Sequence, residues 1–199
     1  MKNLKLIILI TFILSSIFSN AQVTVYRTFD EYKNGKGQEF DNLKNYKQID
    51  AKIRLVLSKN NIESAIICKD IWGFMYKNSL FRVDKDNSGY SLAMVVATGK
   101  LVYYENGLAH LRMLYHETNS SSYDSFDGYA AYISKDLNSF MVPIEKASVY
   151  THHIKVKKGI KKFKKEYPQF NDFFDCLRNY NIETVRRCIA KFEGYKDFN

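Results

Sequence analysis

Two prolines, nine glycines, three cysteines and one tryptophan are all that 199 residues contain of those types. So little Pro and Gly excludes a collagen-like chain or a Pro/Gly-rich disordered one. Three Cys exclude a dense disulfide scaffold and a four-thiolate zinc site. The chain has no His-Glu-x-x-His, no Gly-x-Ser-x-Gly elbow, no phosphate-cradling Gly-rich loop and no dinucleotide fingerprint. What remains is ample core material: 46% apolar residues, with fifteen Tyr and fourteen Phe, beside a formal net charge of +9.

The first 21 residues have their own grammar. Lys2 and Lys5 form a basic start, an apolar stretch runs from Leu4 to Phe18, and Ser19-Asn20-Ala21 places small residues before Gln22. This pattern predicts a signal peptide over 1–21, cleaved after Ala21, and an exported, periplasmic or extracellular protein. The stretch is short for a spanning helix, which needs ~20 apolar residues. Removing the first 21 residues leaves 178, read as a single globular domain over 22–199, and takes the charge from +9 to +7. Export argues against a nucleic-acid partner despite the basic balance.

Val23-Thr24-Val25-Tyr26 reads as a strand. A helical turn follows, capped by Thr28, with Asp30 and Glu31 at its positive end and Gly35 as its stop. The polar stretch 36–50 is assigned to no element. Ile53, Leu55 and Leu57 alternate with polar neighbours, predicting a strand. Eight further β-prone runs occupy 64–68, 71–76, 80–83, 90–97, 101–105, 108–116, 126–133 and 139–144, separated by turn residues. From about 150 the period changes. Phe170, Phe173, Phe174, Leu177 and Tyr180 form one helical stripe after Pro168; Ile182, Val185, Ile189 and Phe192 form another, with Asn181 as cap and Gly194 as stop. The expected class is α+β: an antiparallel curled sheet or barrel-like meander over 50–144, then two or three C-terminal helices over 150–195.

Asn106-Gly107 predicts a two-residue type I′ hairpin, since both residues accept positive φ. That register puts Val102, Tyr104, Ala109, Leu111, Met113 and Tyr115 on a core face. Tyr103, Glu105, His110, Arg112 and His116 then share the opposite face, a candidate ligand-binding surface that equally suits plain solvation. As a strand, 110–116 separates its two His by roughly 20 Å, too far to share an ion. His152-His153 do not point together either, so no metal and no cofactor are expected. Asp84, Asp86 and Gly89 begin like a calcium loop, but Val95 stands where a bidentate Glu belongs, and a polar hairpin explains them better. Asp124 and Asp127 fall in a Ser-rich loop, where Asp serves turns.

The densest charge run is 155–165. Lys157, Lys158, Lys161, Lys162, Lys164 and Lys165 surround a narrow stripe of Val156, Ile160, Phe163 and Tyr167, interrupted by Gly159. A basic amphipathic helix here either packs with its lysines solvated or rests on an anionic lipid surface or an acidic envelope polysaccharide. Cys176 and Cys188 fall at similar heights on two neighbouring helices, so an exported chain can join them in a disulfide, or leave them as half-buried thiols. Cys68 reads as a small core residue.

The run Val25-Tyr26-Arg27-Thr28-Phe29-Asp30-Glu31-Tyr32, the run Ile71-Trp72-Gly73-Phe74, the segment from Cys176 through Leu-Arg-Asn-Tyr-Asn, and the Ser-Asn-Ala-Gln signal end together resemble a family of small exported Bacteroidetes proteins of unknown function. The resemblance implies an envelope or extracellular setting in a Gram-negative cell and brings no activity, cofactor or catalytic residue. The leading expectation is a non-catalytic binding or interaction module. The rivals are an envelope-directed hydrolase working through the Tyr103–His116 face or Asp124 and Asp127, and a protein that adheres to anionic surfaces.

Overall fold

The computed structural model describes residues 23–49, 52–86, 89–116, 130–145, 152–177 and 182–194. Residues 1–21, expected to form a signal peptide, as well as Asp124, Asp127, Tyr180 and Asn181, lie outside them. The chain divides into two compact units, 1–78 and 79–199.

In the first unit, β1 (Val23–Tyr26) pairs antiparallel with β2 (Gln38–Phe40) on one side and β6 (Gly73–Tyr76) on the other. Between β1 and β2 lies the expected helical turn, α1 (Phe29–Lys33): Thr28 Oγ1 accepts from the Glu31 N–H at 3.2 Å, and Gly35 follows at φ +63°. A second antiparallel sheet contains β3 (Asn42–Ile49), β4 (Lys52–Lys59) and β5 (Ile62–Ile67) in that order. Ile53, Leu55 and Leu57 are buried on β4 as their alternation predicts. β2 and β3 occupy the stretch to which sequence patterning assigned nothing. β3 is an edge strand with Lys44 and Lys47 exposed, so it shows no apolar alternation, and edge lysines are a common guard against further strand pairing. The left-handed pair Asn60-Asn61, at φ 51° and 62°, closes the two-residue β4–β5 hairpin. Cys68 starts a short 3₁₀ turn and is fully buried, so burial pushes its thiol up to about 12 and keeps it inert.

In the second unit, β7 (Ser79–Asp86), β8 (Gly89–Thr98), β9 (Val102–Asn106), β10 (Ala131–Ser134) and β11 (Val142–Glu145) follow one another as antiparallel neighbours. The sheet is open; it does not close into a barrel. The first correction falls between β9 and β10: residues Gly107–His116 form a helix, α2, and not the return strand of a hairpin. Asn106 acts as its cap, with Oδ1 accepting from the N–H groups of Leu108 at 3.0 Å and Ala109 at 3.2 Å. Gly107 is required by close approach and not by a positive φ, since a Cβ would fall 2.8 Å from the backbone N of Ala93 and C of Leu92. Leu108, Ala109, Leu111, Arg112, Met113 and Leu114 are all strong helix formers, which favours this outcome.

The helices α3 (His152–Glu166), α4 (Asn171–Cys176) and α5 (Ile182–Glu193) complete the unit, with Pro168 opening a 3₁₀ turn before α4. Phe163, Phe170, Phe173, Phe174, Leu177, Val185 and Ile189 from this helical region pack onto Tyr103, Ala131, Ile133 and Ile144 of the sheet and Leu101 just before β9. Val102, Tyr104, Ala93, Ala130, Tyr132 and Met141 form a second buried cluster. Successive residues of a strand point to opposite faces, so Tyr103 and Tyr104 enter different clusters and both are fully buried. β9 is therefore covered on both sides. Glu193 anchors the end of α5: its carboxylate accepts from the N–H groups of Lys100 at 2.8 Å and Leu101 at 3.1 Å. Gly99 leaves room for it, because a Cβ there would meet Glu193 Oε2.

Candidate functional site

The structure brings Tyr103, Glu105 and His110 together, but not on an open face. Tyr103 and Glu105 share one side of β9, and α2 turns back so that His110, on its first turns, reaches the same carboxylate. The Tyr103 hydroxyl donates to Glu105 Oε1 at 2.8 Å, and His110 Nε2 hydrogen-bonds Oε2 at 2.9 Å. Arg186 of α5 adds a two-pronged contact, Nε to Oε1 at 2.6 Å and Nη2 to Oε2 at 2.7 Å. Glu105 is completely buried, while the Arg186 side chain keeps 40% exposure and carries the far side of the pair to the surface. Burial pushes the Glu105 pKa up. The hydrogen bonds from Arg186 and His110, the Arg186 charge and the Tyr103 hydroxyl together outweigh it and hold the carboxyl down at about 2.

Arg112 and His116 fall elsewhere. Arg112 is half-buried along α2; His116 is exposed at its last turn, edge-on to Tyr115 with ring centres 5.0 Å apart. The helix shortens the rise from His110 to His116 to ~9 Å, against the ~20 Å of a strand. The five-residue surface expected from the hairpin is thus not formed. Sequence reasoning missed Arg186. A buried Glu demands a cation, yet nothing in the pattern of α5 says which of its basic residues supplies it. Trp72 is half-buried, stacked 4.9 Å from Tyr32 and tilted against Phe29 at 5.4 Å.

A second polar chain crosses the sheet. The buried Arg82 donates from Nη1 to the Tyr104 hydroxyl at 3.0 Å, which lies 2.7 Å from Ser134 Oγ. Burial raises the Tyr104 pKa, partly countered by Arg82. Asp84, the first residue of the calcium-like run, is engaged by Arg82 Nη2 at 3.9 Å and by the Met141 N–H. Among the described residues no group of three His, Cys, Asp or Glu side chains can hold a metal ion.

An open feature among the described residues of this unit lies between the β10–β11 connection and α3. A groove of about 390 Å³ is lined by Asn138, Ser139, Phe140, Lys162, Glu166 and Tyr167, together with Val142, Gly159 and Phe163. Small-ligand sites commonly enclose about 300–1,000 Å³ and combine aromatic walls with a few polar groups. Phe140 stands 76% exposed. The connection that presents it is tied by Asp136, whose Oδ1 accepts from Asn138 N at 2.9 Å, Ser139 N at 2.8 Å and Ser139 Oγ at 2.9 Å. Gly159 belongs to close approach as well, its Cβ position lying 3.3 Å from Val142 Cγ1 on β11.

The lysine helix forms as expected, with Phe163 buried and Ile160 and Tyr167 half-buried. Lys157, Lys158, Lys161, Lys162 and Lys165 are exposed; Lys164 pairs with Asp175 at 3.4 Å and lies 5.6 Å above the Phe174 ring. The side chains of His152 and His153 lie outside the described ones. Cys176 and Cys188 are joined in a disulfide that links the end of α4 to the middle of α5. No described helix is long and apolar enough to cross a membrane. Compared with protein-family models, curated proteins and solved structures, the chain matches none of them.

Proposed function

We propose that this protein is an exported, non-catalytic binding module whose ligand occupies the groove between the β10–β11 connection and α3. The groove carries the reading: it is concave, tied in place by Asp136, and lined by aromatic, amide, hydroxyl and charged groups. Preformed walls of this kind reduce the ordering cost of binding. The disulfide suits an oxidising compartment, as does the signal grammar of 1–21. The Glu105 cluster supports a structural role. A carboxylate sealed from solvent and held at about 2 is a poor proton acceptor near neutral pH, where general bases need a pKa close to the working pH.

The test is a backbone amide NMR titration of the purified protein with a panel of neutral and acidic oligosaccharides and short peptides. Saturable shifts confined to 138–142 and 159–167 are expected for at least one compound. A titration that moves none of these amides, or that moves only those around Glu105 and His110, overturns the proposal.

A further inference from the structure

Beside the groove, α3 carries a charge pattern that selects among ligands. Lys158, Lys162 and Lys165 recur at i, i+4 and i+7, which aligns them along one edge of the helix. All three are exposed and have no ion-pair partner among the described residues. Lys162 also lines the groove, and Lys158 and Lys165 continue its line along α3 on either side of it. Phe140, the large exposed apolar group of the groove, lines it from the β10–β11 connection. Resting on the preceding reading of this groove as a binding site, we infer that its ligand is an acidic polysaccharide. One sugar ring lies on Phe140, and carboxylates of successive sugars pair with Lys158, Lys162 and Lys165.

Three observations favour a charged glycan over a charged membrane. The groove is concave, whereas a bilayer surface is met by a projecting apolar face. The apolar side of α3 is not free to insert: Phe163 is 4% exposed, and with Ile160 it packs against the sheet cluster. The polar groups at the walls are those that satisfy sugar hydroxyls, namely the Asn138 amide, the Ser139 hydroxyl and the Glu166 carboxylate, which already accepts from the Tyr167 hydroxyl at 3.1 Å. Glu166 repels a carboxylate placed beside it, so the acidic groups of the ligand follow the lysine row and its hydroxyls face Glu166. The net charge of +9, or +7 without the first 21 residues, adds attraction over a longer range.

Calorimetric titration of the purified, disulfide-bonded protein with oligogalacturonate, a neutral dextran oligosaccharide and vesicles of anionic phosphatidylglycerol tests the inference. Saturable oligogalacturonate binding is expected, weakening as salt is raised through the range where charges are screened. Affinity falls about tenfold or more in Phe140→Ala and in Lys162→Ser, the loss of about 1.4 kcal/mol that such a factor represents. Lys157→Ser, on the neighbouring line of the helix, changes it less than about twofold. Phe140 and Lys162 are exposed enough for their variants to fold, and amide shifts of the wild-type chain at 138–142 and 158–166 give an independent readout. Equal affinity for dextran, unaffected by Lys162→Ser, overturns the acidic ligand but leaves a binding groove. Oligogalacturonate binding insensitive to Phe140→Ala overturns the groove and leaves only diffuse charge attraction. Vesicle binding without glycan binding overturns the inference in favour of a membrane. Binding of nothing, with the groove amides unmoved, removes both this inference and the reading beneath it.

Discussion

Glu105 exchanges hydration for at least four hydrogen bonds, two of them from one guanidinium. The consequence for pH follows from the direction of its shift. The folded-state pKa, about 2, lies below the ordinary value of 4.5. The cluster therefore contributes stability that is fully present above 4.5 and is lost as pH falls toward 2; by linkage this amounts to roughly 3 kcal/mol. Urea unfolding at pH 7 and at pH 3 measures it. The wild-type chain is expected to lose stability across that interval more steeply than Glu105→Gln, and coincident slopes would contradict the assignment. At pH 7 Arg186→Met costs about 2–4 kcal/mol, because a buried carboxylate is left without its cation. Glu105→Gln combined with Arg186→Met costs less than the two single losses added together, which a double-mutant cycle reads directly.

At the scale of single elements, α2 and the disulfide give separable predictions. Asn106→Ala removes the cap of α2 and is expected to cost about 1 kcal/mol, most of it recovered in Asn106→Ser. Gly107→Ala is more damaging, since its new Cβ meets the backbone of β8 within 2.8 Å. The alternation of Ala109, Leu111, Met113 and Tyr115 with His110, Arg112 and His116 matched a strand, and Asn-Gly matched a turn, so a two-residue period misdirected the reading. The propensities of the same residues pointed the other way. Tertiary contact decided between them: the segment after β9 folds back against β8 at Gly107 and delivers His110 to a carboxylate. By contrast, Cys176 and Cys188 were legible as a pair, because two amphipathic stripes around one turn fix heights on neighbouring helices without further tertiary knowledge. Changing both to Ser opens a loop with a sequence separation of 12, and chain entropy alone then predicts a loss of about 3 kcal/mol in thermal or urea unfolding. An unchanged Tm in the double variant or under reductant would show that the bridge contributes nothing to the fold.

Across the whole molecule, the alternation on β4, the capped α1 and the two C-terminal stripes could be read locally because each depends on neighbours in sequence. The groove could not. Its walls come from 138–142 and 159–167, and the packing of α3 on β11, with Phe163 in the cluster of Ile144 and Gly159 against Val142, brings them together. The lysines were visible as a run, but not which of them would line a cavity and which would pair with Asp175. The proposed export would join these pieces, since a disulfide and the inferred acidic glycan would both belong outside the cytosol. Cell fractionation of the native producer, with mass measurement of the recovered chain, tests it. The exported reading expects a chain beginning at Gln22, 178 residues long, in the periplasmic or extracellular fraction. After denaturation without reductant, alkylation is expected to label one thiol, the buried Cys68, and after reduction all three cysteines. A chain that retains Met1 and is recovered from the cytosol with three free thiols would remove the oxidising compartment, and with it the setting proposed for an acidic glycan ligand.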